Sequence, residues 1–273
     1  SLLFAGYLQA TPWLEVGPFN TFYSFNPVEG FRLRFGGRTT PHLNPNLYLE
    51  GYGAYGFKDK KWKYYIGGAY SFSGNNRFKF PAHNVTVSYQ EDTKIPGQEL
   101  QFIQEDNFLL SFKRGVNDKW LYNKTFNIQY FREFENHLSF NLGFKRWQQA
   151  AAGGIQFITE TTLNPIKDLT TSEISAEIRW APHEKFIQGK SYRTPLPNRY
   201  PVMTVRGIVG IRDIIGSEYN YQKLNLNIYK RFYLSQLGYT DAVLDGGYIF
   251  GSGIPYLTIL QFQFFNFNYN LTI

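Results

Sequence analysis

The chain has 273 residues, a formal net charge of +7, an aromatic content of 19% and no cysteine. That length allows one large domain or two small ones, and the missing cysteines exclude a disulfide framework and any thiolate metal site. The basic residues are scattered rather than gathered into one patch, so no nucleic-acid partner is expected.

With 26 Phe, 21 Tyr and 25 Gly against a single Met, the composition favours strands and tight turns. No segment approaches the roughly 18 consecutive apolar residues of a membrane-spanning helix. The mean hydropathy of −0.36 does not argue against a barrel, because only alternate residues of a barrel strand meet lipid. The chain starts at Ser1 with no signal peptide, so a leader has been removed or the sequence belongs to a longer protein.

The stretch from Phe22 to Phe72 sets the pattern. Phe31, Leu33 and Phe35 alternate with Arg32 and Arg34; Trp62, Tyr64, Ile66, Tyr70 and Phe72 oppose Lys63, Tyr65, Gly67, Ala69 and Ser71. A period of two puts alternate side chains on opposite faces of a sheet. One face is dense in aromatics and the other is small and charged, the pattern of a strand with lipid outside and a polar lumen inside.

Further along, Val85, Val87 and Tyr89 alternate with Thr86 and Ser88, and a polar interval, Gln90 to Asp106, holds a Pro-Gly turn signal and most of the local acid. Phe108, Leu110 and Phe112 resume the alternation. Phe126, Ile128 and Tyr130 oppose Thr125, Asn127 and Gln129, while Leu138, Phe140, Leu142 and Phe144 oppose Ser139, Asn141, Gly143 and Lys145. The short connection Arg132 to His137 predicts an antiparallel hairpin between these two. Ile174, Ala176, Ile178 and Trp180 oppose Glu173, Ser175, Glu177 and Arg179. The prolines of Ala181 to Pro201 forbid a central strand. Met203, Val205 and Val209 then face away from Thr204 and Arg206, and Leu224, Leu226 and Ile228 from Asn225, Asn227 and Tyr229; alternation runs from Tyr256 to the end. These segments predict an all-β protein: a single antiparallel transmembrane β-barrel domain over residues 1–273, with at least about a dozen strands near the ~9–11 residues a bilayer crossing needs.

The predicted lumen-facing charges are Arg32, Arg34, Glu50, Lys63, Lys145, Glu173, Glu177, Arg179 and Arg206. The predicted lipid-facing residues are Phe31, Leu33, Phe35, Trp62, Tyr64, Ile66, Leu138, Phe140, Leu142, Phe144, Ile174, Ile178, Trp180, Leu224, Leu226 and Ile228.

Motifs of catalysis are weak. Gly51, Gly53 and Gly56 satisfy G-x-G-x-x-G, but a charged turn and a second strand are expected after them instead of the phosphate-binding helix. His42, His83, His137 and His183 are far apart in sequence, and none forms an H-x-x-x-H pair, so no metal is expected. There is no G-x-S-x-G elbow and no P-loop. Glu105 with Asp106, and Glu133 with Glu135, read as solvated turn charges. Glu173 and Glu177 read as partners in ion pairs with neighbouring strands. The sequons at Asn84, Asn123 and Asn270 read as chance. Neither enzymatic activity nor a cofactor is expected.

Two runs carry a family resemblance. NPVEGFRLRFGGRT followed by LEGYGAYGFKDKKWKYYIGGAYSF, and RWAPHEKFIQGKSYRTPLPNRYPVMTVRGIVGI followed by GSEYNYQKLNLNIYKRF, resemble an outer-membrane β-barrel family of Bacteroidota of unknown function. Its members carry an N-terminal carboxypeptidase-like regulatory domain. The resemblance implies the bacterial outer membrane as location, lipid and lipopolysaccharide as surroundings, and other outer-membrane proteins as partners. It carries over no catalytic residue. The family's members are longer, and this chain ends NLTI at Ile273 rather than in an aromatic, so the expected barrel is incomplete here. The function expected is that of an accessory subunit of an outer-membrane complex for export, barrel assembly or nutrient uptake. A porin-like channel with a basic lumen, and a soluble β-rich protein binding carbohydrate through exposed aromatics, are the alternatives.

Overall fold

The computed structural model describes residues 6–95, 119–158, 165–189, 192–234, 238–251 and 266–272. Among them lie eighteen strands and one short 3₁₀ turn, with no α-helix. The N-terminal part holds β1 (Leu8–Thr11), β2 (Leu14–Val16), β3 (Tyr23–Asn26), β4 (Gly30–Thr39), β5 (Leu47–Gly56), β6 (Lys61–Ser71) and β7 (His83–Lys94). The middle holds β8 (Lys119–Glu133), β9 (Leu138–Gly153), β10 (Phe157–Ile158), β11 (Pro165–Ile166) and β12 (Asp168–Trp180). Last come β13 (Phe186–Gln188), β14 (Arg193–Pro195), β15 (Val202–Gly210), β16 (Tyr221–Tyr233), β17 (Tyr239–Phe250) and β18 (Asn266–Thr272).

One antiparallel sheet takes in β1, β2, β4 to β9, β12 and β15 to β18 in chain order, with β3 also paired to β4. Every long strand therefore lies beside its sequence neighbour, the meander that short connections between antiparallel strands produce. Two small hairpins, β10–β11 and β13–β14, sit in the connections before and after β12. The ends of the sheet, β1 and β18, do not pair with each other among the described residues. The all-β architecture and the strand number thus follow the expectation, as an unclosed sheet.

Alternation sets the two faces. Register pairs Ala54 with Lys63 and carries an inner row through Asp92, Asn123, Gln149 and Leu169, and all six are buried. An outer row runs through Val87, Ile128, Phe144, Ile174 and Val209. Arg32 of β4 reaches Asp92 of β7 at 2.9 Å, across three strand spacings of about 4.8 Å each. The sheet curls around its charged side, bringing those side chains together.

The apolar core is small for the size of the chain. Leu121, Phe157 and Leu169 form a buried cluster, with Ile155, Ile166 and Tyr219 packed against it, so the β10–β11 hairpin caps one end of the inner face. Outside the strands there, burial pushes the Glu218 carboxyl above its ordinary range, with the Asp168 charge adding to the effect.

GYGAYG lies within β5 and leads through residues 57–60 into β6, so the helix a dinucleotide site needs is replaced by a strand. Two other glycines carry the close packing of the wall. A Cβ at Gly67 would lie 2.4 Å from the Tyr65 hydroxyl, which fills that space. A Cβ at Gly36 would lie 2.8 Å from Tyr52 Cβ and 2.9 Å from the Gly51 carbonyl oxygen. Backbone cannot swing aside, so Gly36→Ala is expected to cost about 1–3 kcal/mol, read as a lower urea midpoint for the folded protein.

Several expectations change. The strand read as Asn84 to Tyr89 extends into the polar interval, because β7 continues through Asp92 to Lys94. The segment 108–112, the Glu105–Asp106 pair and residues 256–265 lie outside the described residues. Asn84 and Asn123 are buried, which disposes of both as glycan acceptors in the folded chain.

Candidate functional site: the charged inner face

All the predicted inward charges lie on one face, and none of them is exposed. None of the predicted outward residues is buried; Trp62 is 70% exposed beside Lys63 at 2%. The inner charges form three groups.

At the end bearing the β5–β6 turn, Lys63 Nζ lies 2.8 Å from Glu29 Oε1 and 2.6 Å from Asp59 Oδ2. Arg32 joins Glu29 at 3.3 Å and forms two contacts of 2.9 Å with Asp92. Tyr52 donates to Asp92 and Tyr122 to Asp59 at 3.1 Å. Gly56 makes room for this cluster, since a Cβ there would lie 2.4 Å from Asp59 Oδ1. Glu29 is fully buried in a turn that Asn26 organises by accepting from the Val28 and Glu29 amides.

In the middle, Glu173 accepts from Lys223 Nζ at 2.8 Å and from the Tyr221 hydroxyl at 2.5 Å. Lys145 lies opposite Glu173 in register and sits 4.2 Å from the centre of the Trp147 ring. Glu177 and Arg206 are direct cross-strand partners joined by a 2.6 Å hydrogen bond. Toward the β17 edge, Arg231 makes two 2.6 Å contacts with Asp241. Glu177 pairs with the neighbouring strand as expected, whereas the ion pair of Glu173 reaches past β15 to Lys223 of β16.

At the opposite end, the connection between β12 and β15 folds back over the sheet and is clamped twice. Arg179 holds Glu184 at 2.9 and 2.6 Å; Arg193 holds Glu133 at 2.7 Å through both nitrogens. Glu133 also accepts from the Ala82 amide. This corrects the reading of Glu133 as a solvated turn charge: it is 8% exposed and serves as an anchor. The histidines also come closer than their spacing suggests. His137 and His183 have ring centres 6.4 Å apart; Phe80 stacks on His137, and Tyr200 packs at a tilt against His183. Among the described residues no group of three or more His, Asp or Glu is placed to hold a metal ion.

Glu50 accepts from the hydroxyls of Tyr48 and Tyr65 at 2.8 and 2.7 Å. Arg34 lies 3.7 Å from the centre of the Tyr52 ring, and Arg77 stands over the rings of Tyr48 and Phe78. Beside Arg77 is a cavity of about 250 Å³, lined by Asn84, Thr86, Gln129, Asn141 and Arg193 among others.

The outer face has its own organisation. Phe31, Tyr55, Phe57 and Trp62 form a contiguous aromatic cluster near the β5–β6 turn. Tyr70, Phe72, His83 and Tyr130 form another toward the opposite end. Between them the exposed side chains include Ile66, Val87, Leu142 and Ile174. Next to the first cluster and in register with Tyr64, the outer row of Glu91, Lys124 and Gln148 is polar; Lys124 pairs with Glu91, and Gln148 donates to Asp168.

No curated protein is matched by this chain. Residues 11–271 match the family model described as the C-terminal domain of a family of unknown function, DUF5686. With nearly its whole length matched, the chain belongs to the DUF5686 C-terminal domain family.

Proposed function

We propose that this domain is an integral outer-membrane β-barrel wall of a Bacteroidota protein, acting as a structural or accessory subunit of an outer-membrane complex. The observation that carries the reading is the reversed polarity of the sheet. A sheet folded in water turns apolar side chains inward and leaves Lys, Glu and Arg outside; here Lys63 and Glu29 are buried while Trp62, Ile66 and Phe35 are more than 60% exposed. Contiguous apolar surface of this extent marks an interaction with lipid or protein.

Dimensions support lipid. From Trp62 to Phe72 the outward run measures about 34 Å at about 3.4 Å per residue. A strand tilted by about 40° projects that length onto roughly 26 Å, close to the ~25 Å apolar band of outer-membrane barrels, and aromatic girdles flank such bands. Ion pairs that bridge the inner face suit a scaffold better than a wide conduit. The resemblance to barrels carrying a carboxypeptidase-like regulatory domain supports the same location and an association with other outer-membrane proteins.

The test is fractionation followed by affinity purification from the native membrane in mild detergent. The protein is expected to stay with the outer membrane through carbonate and urea washes and to bring partner proteins with it in fixed ratio. Release by the washes contradicts membrane integration, and isolation alone contradicts the accessory role. Planar-bilayer recording separates the channel alternative: a filled scaffold passes little current.

A further inference from the structure

We infer that the cavity beside Arg77 is a binding site for a small anionic, hydroxyl-rich ligand, of the class of an acidic or phosphorylated monosaccharide. Most inner-face arginines are already matched by a carboxylate: Arg32, Arg38, Arg179, Arg193, Arg206 and Arg231 all form ion pairs. Arg77 does not. Its guanidinium lies over the Tyr48 and Phe78 rings, and among the described residues it has no carboxylate within ion-pair distance.

The lining of the cavity contains two arginines and no acid. Arg193 is spent on Glu133, so the free charge belongs to Arg77, whose planar fork matches a carboxylate or phosphate. Around it stand Asn84, Thr86, Gln129 and Asn141, which both donate and accept and so suit hydroxyl groups. Asn141 Oδ1 is buried and has no partner, although buried polar atoms are ordinarily bonded; a ligand hydroxyl donating to it removes that deficit. Phe78 and Phe131 also border the space and offer apolar surface to the C–H face of a sugar ring. The volume of about 250 Å³ lies just below the usual range for drug-sized ligands, which limits the occupant to about one ring. Asn84, Thr86, Gln129, Phe131 and Asn141 all have the inner parity of β7, β8 and β9, so the ligand reaches the cavity from the inner face of the sheet.

The experiment is calorimetric titration of the folded protein in detergent with glucuronate and with glucose 6-phosphate, using glucose as the uncharged probe. At least one acidic sugar is expected to bind, and glucose at least about tenfold more weakly, the scale of one charge-assisted hydrogen-bond pair. Arg77→Gln is expected to lose about tenfold or more, whereas Lys79→Gln, an equal change of charge at an exposed neighbour, is expected to bind as the wild type does. Asn141→Asp keeps Arg77 and the strand backbone and puts a negative charge into the cavity, so it decides the matter if Arg77→Gln does not fold; it too should lose tenfold. The inference is overturned if neither acidic sugar binds, if glucose binds equally well, or if the cavity variants bind like the wild type. The measurement is made in detergent and is independent of the membrane assignment.

Discussion

Lys63→Met is expected to destabilise the folded protein by about 3–5 kcal/mol, the cost of removing one partner from a buried charge group. The Lys63 side chain is 2% exposed, between Glu29 at 0% and Asp59 at 7%. Once the ammonium is gone, two carboxylates remain in a space closed to water, answered by Arg32 and by hydrogen bonds from Asn26, Tyr122 and the Lys61 amide. Urea unfolding in detergent, followed by the loss of the compact electrophoretic form, reads the change. Lys60→Ala, on an exposed residue of the adjoining turn, is expected to shift the midpoint by no more than about 0.5 kcal/mol. Adding Glu29→Gln and Asp59→Asn to Lys63→Met removes the stranded charges and should restore much of the loss. A single Lys63→Met variant within 1 kcal/mol of wild type contradicts the assignment of this cluster as a buried, charge-compensated unit.

The second large effect is on the other face. Ile174→Arg places a cation in the middle of the outer apolar surface, at a residue already 48% exposed. For a sheet in water such a change at an exposed site is worth less than about 0.5 kcal/mol. In a bilayer it costs about 2–4 kcal/mol near the midplane and about 0–1 near the interface. Ile174→Arg is therefore expected to be strongly destabilising in lipid vesicles, and Tyr64→Arg, beside the polar outer row, nearly neutral. Equal and small effects at both positions contradict a lipid-facing surface.

Much of this architecture was legible from the period of two, because alternation alone assigns each residue of a long strand to a face. Lys63, Glu173 and Arg206 could be placed inward from their neighbours without knowing what they touch. Partners were not legible, since alternation carries no information across the sheet: Arg32 finds Asp92, and Arg193 finds Glu133, each 60 residues away. Two misassignments came from ending strands too early. Asp92 shares the inner parity of Thr86, Ser88 and Gln90, and Glu133 that of Asn127, Gln129 and Phe131; continuing each alternation to the strand end would have turned both carboxylates inward. Glu29 lies in a turn, where no periodicity operates, and its burial depends on Asn26 and Lys63 together. The convergence of His137 with His183 likewise depends on the β12–β15 connection folding back over the sheet.

The central claim is that lipid covers the aromatic face, and quenching of single tryptophans by brominated lipid tests it most directly. Trp180 lies on the outer face at 44% exposure and Trp147 on the inner face at 6%. Two variants of the folded protein, each retaining one of these tryptophans, are reconstituted into vesicles of brominated phospholipid. Strong quenching of Trp180 with little quenching of Trp147 is the predicted result; an unquenched Trp180, or quenching of Trp147 alone, contradicts it.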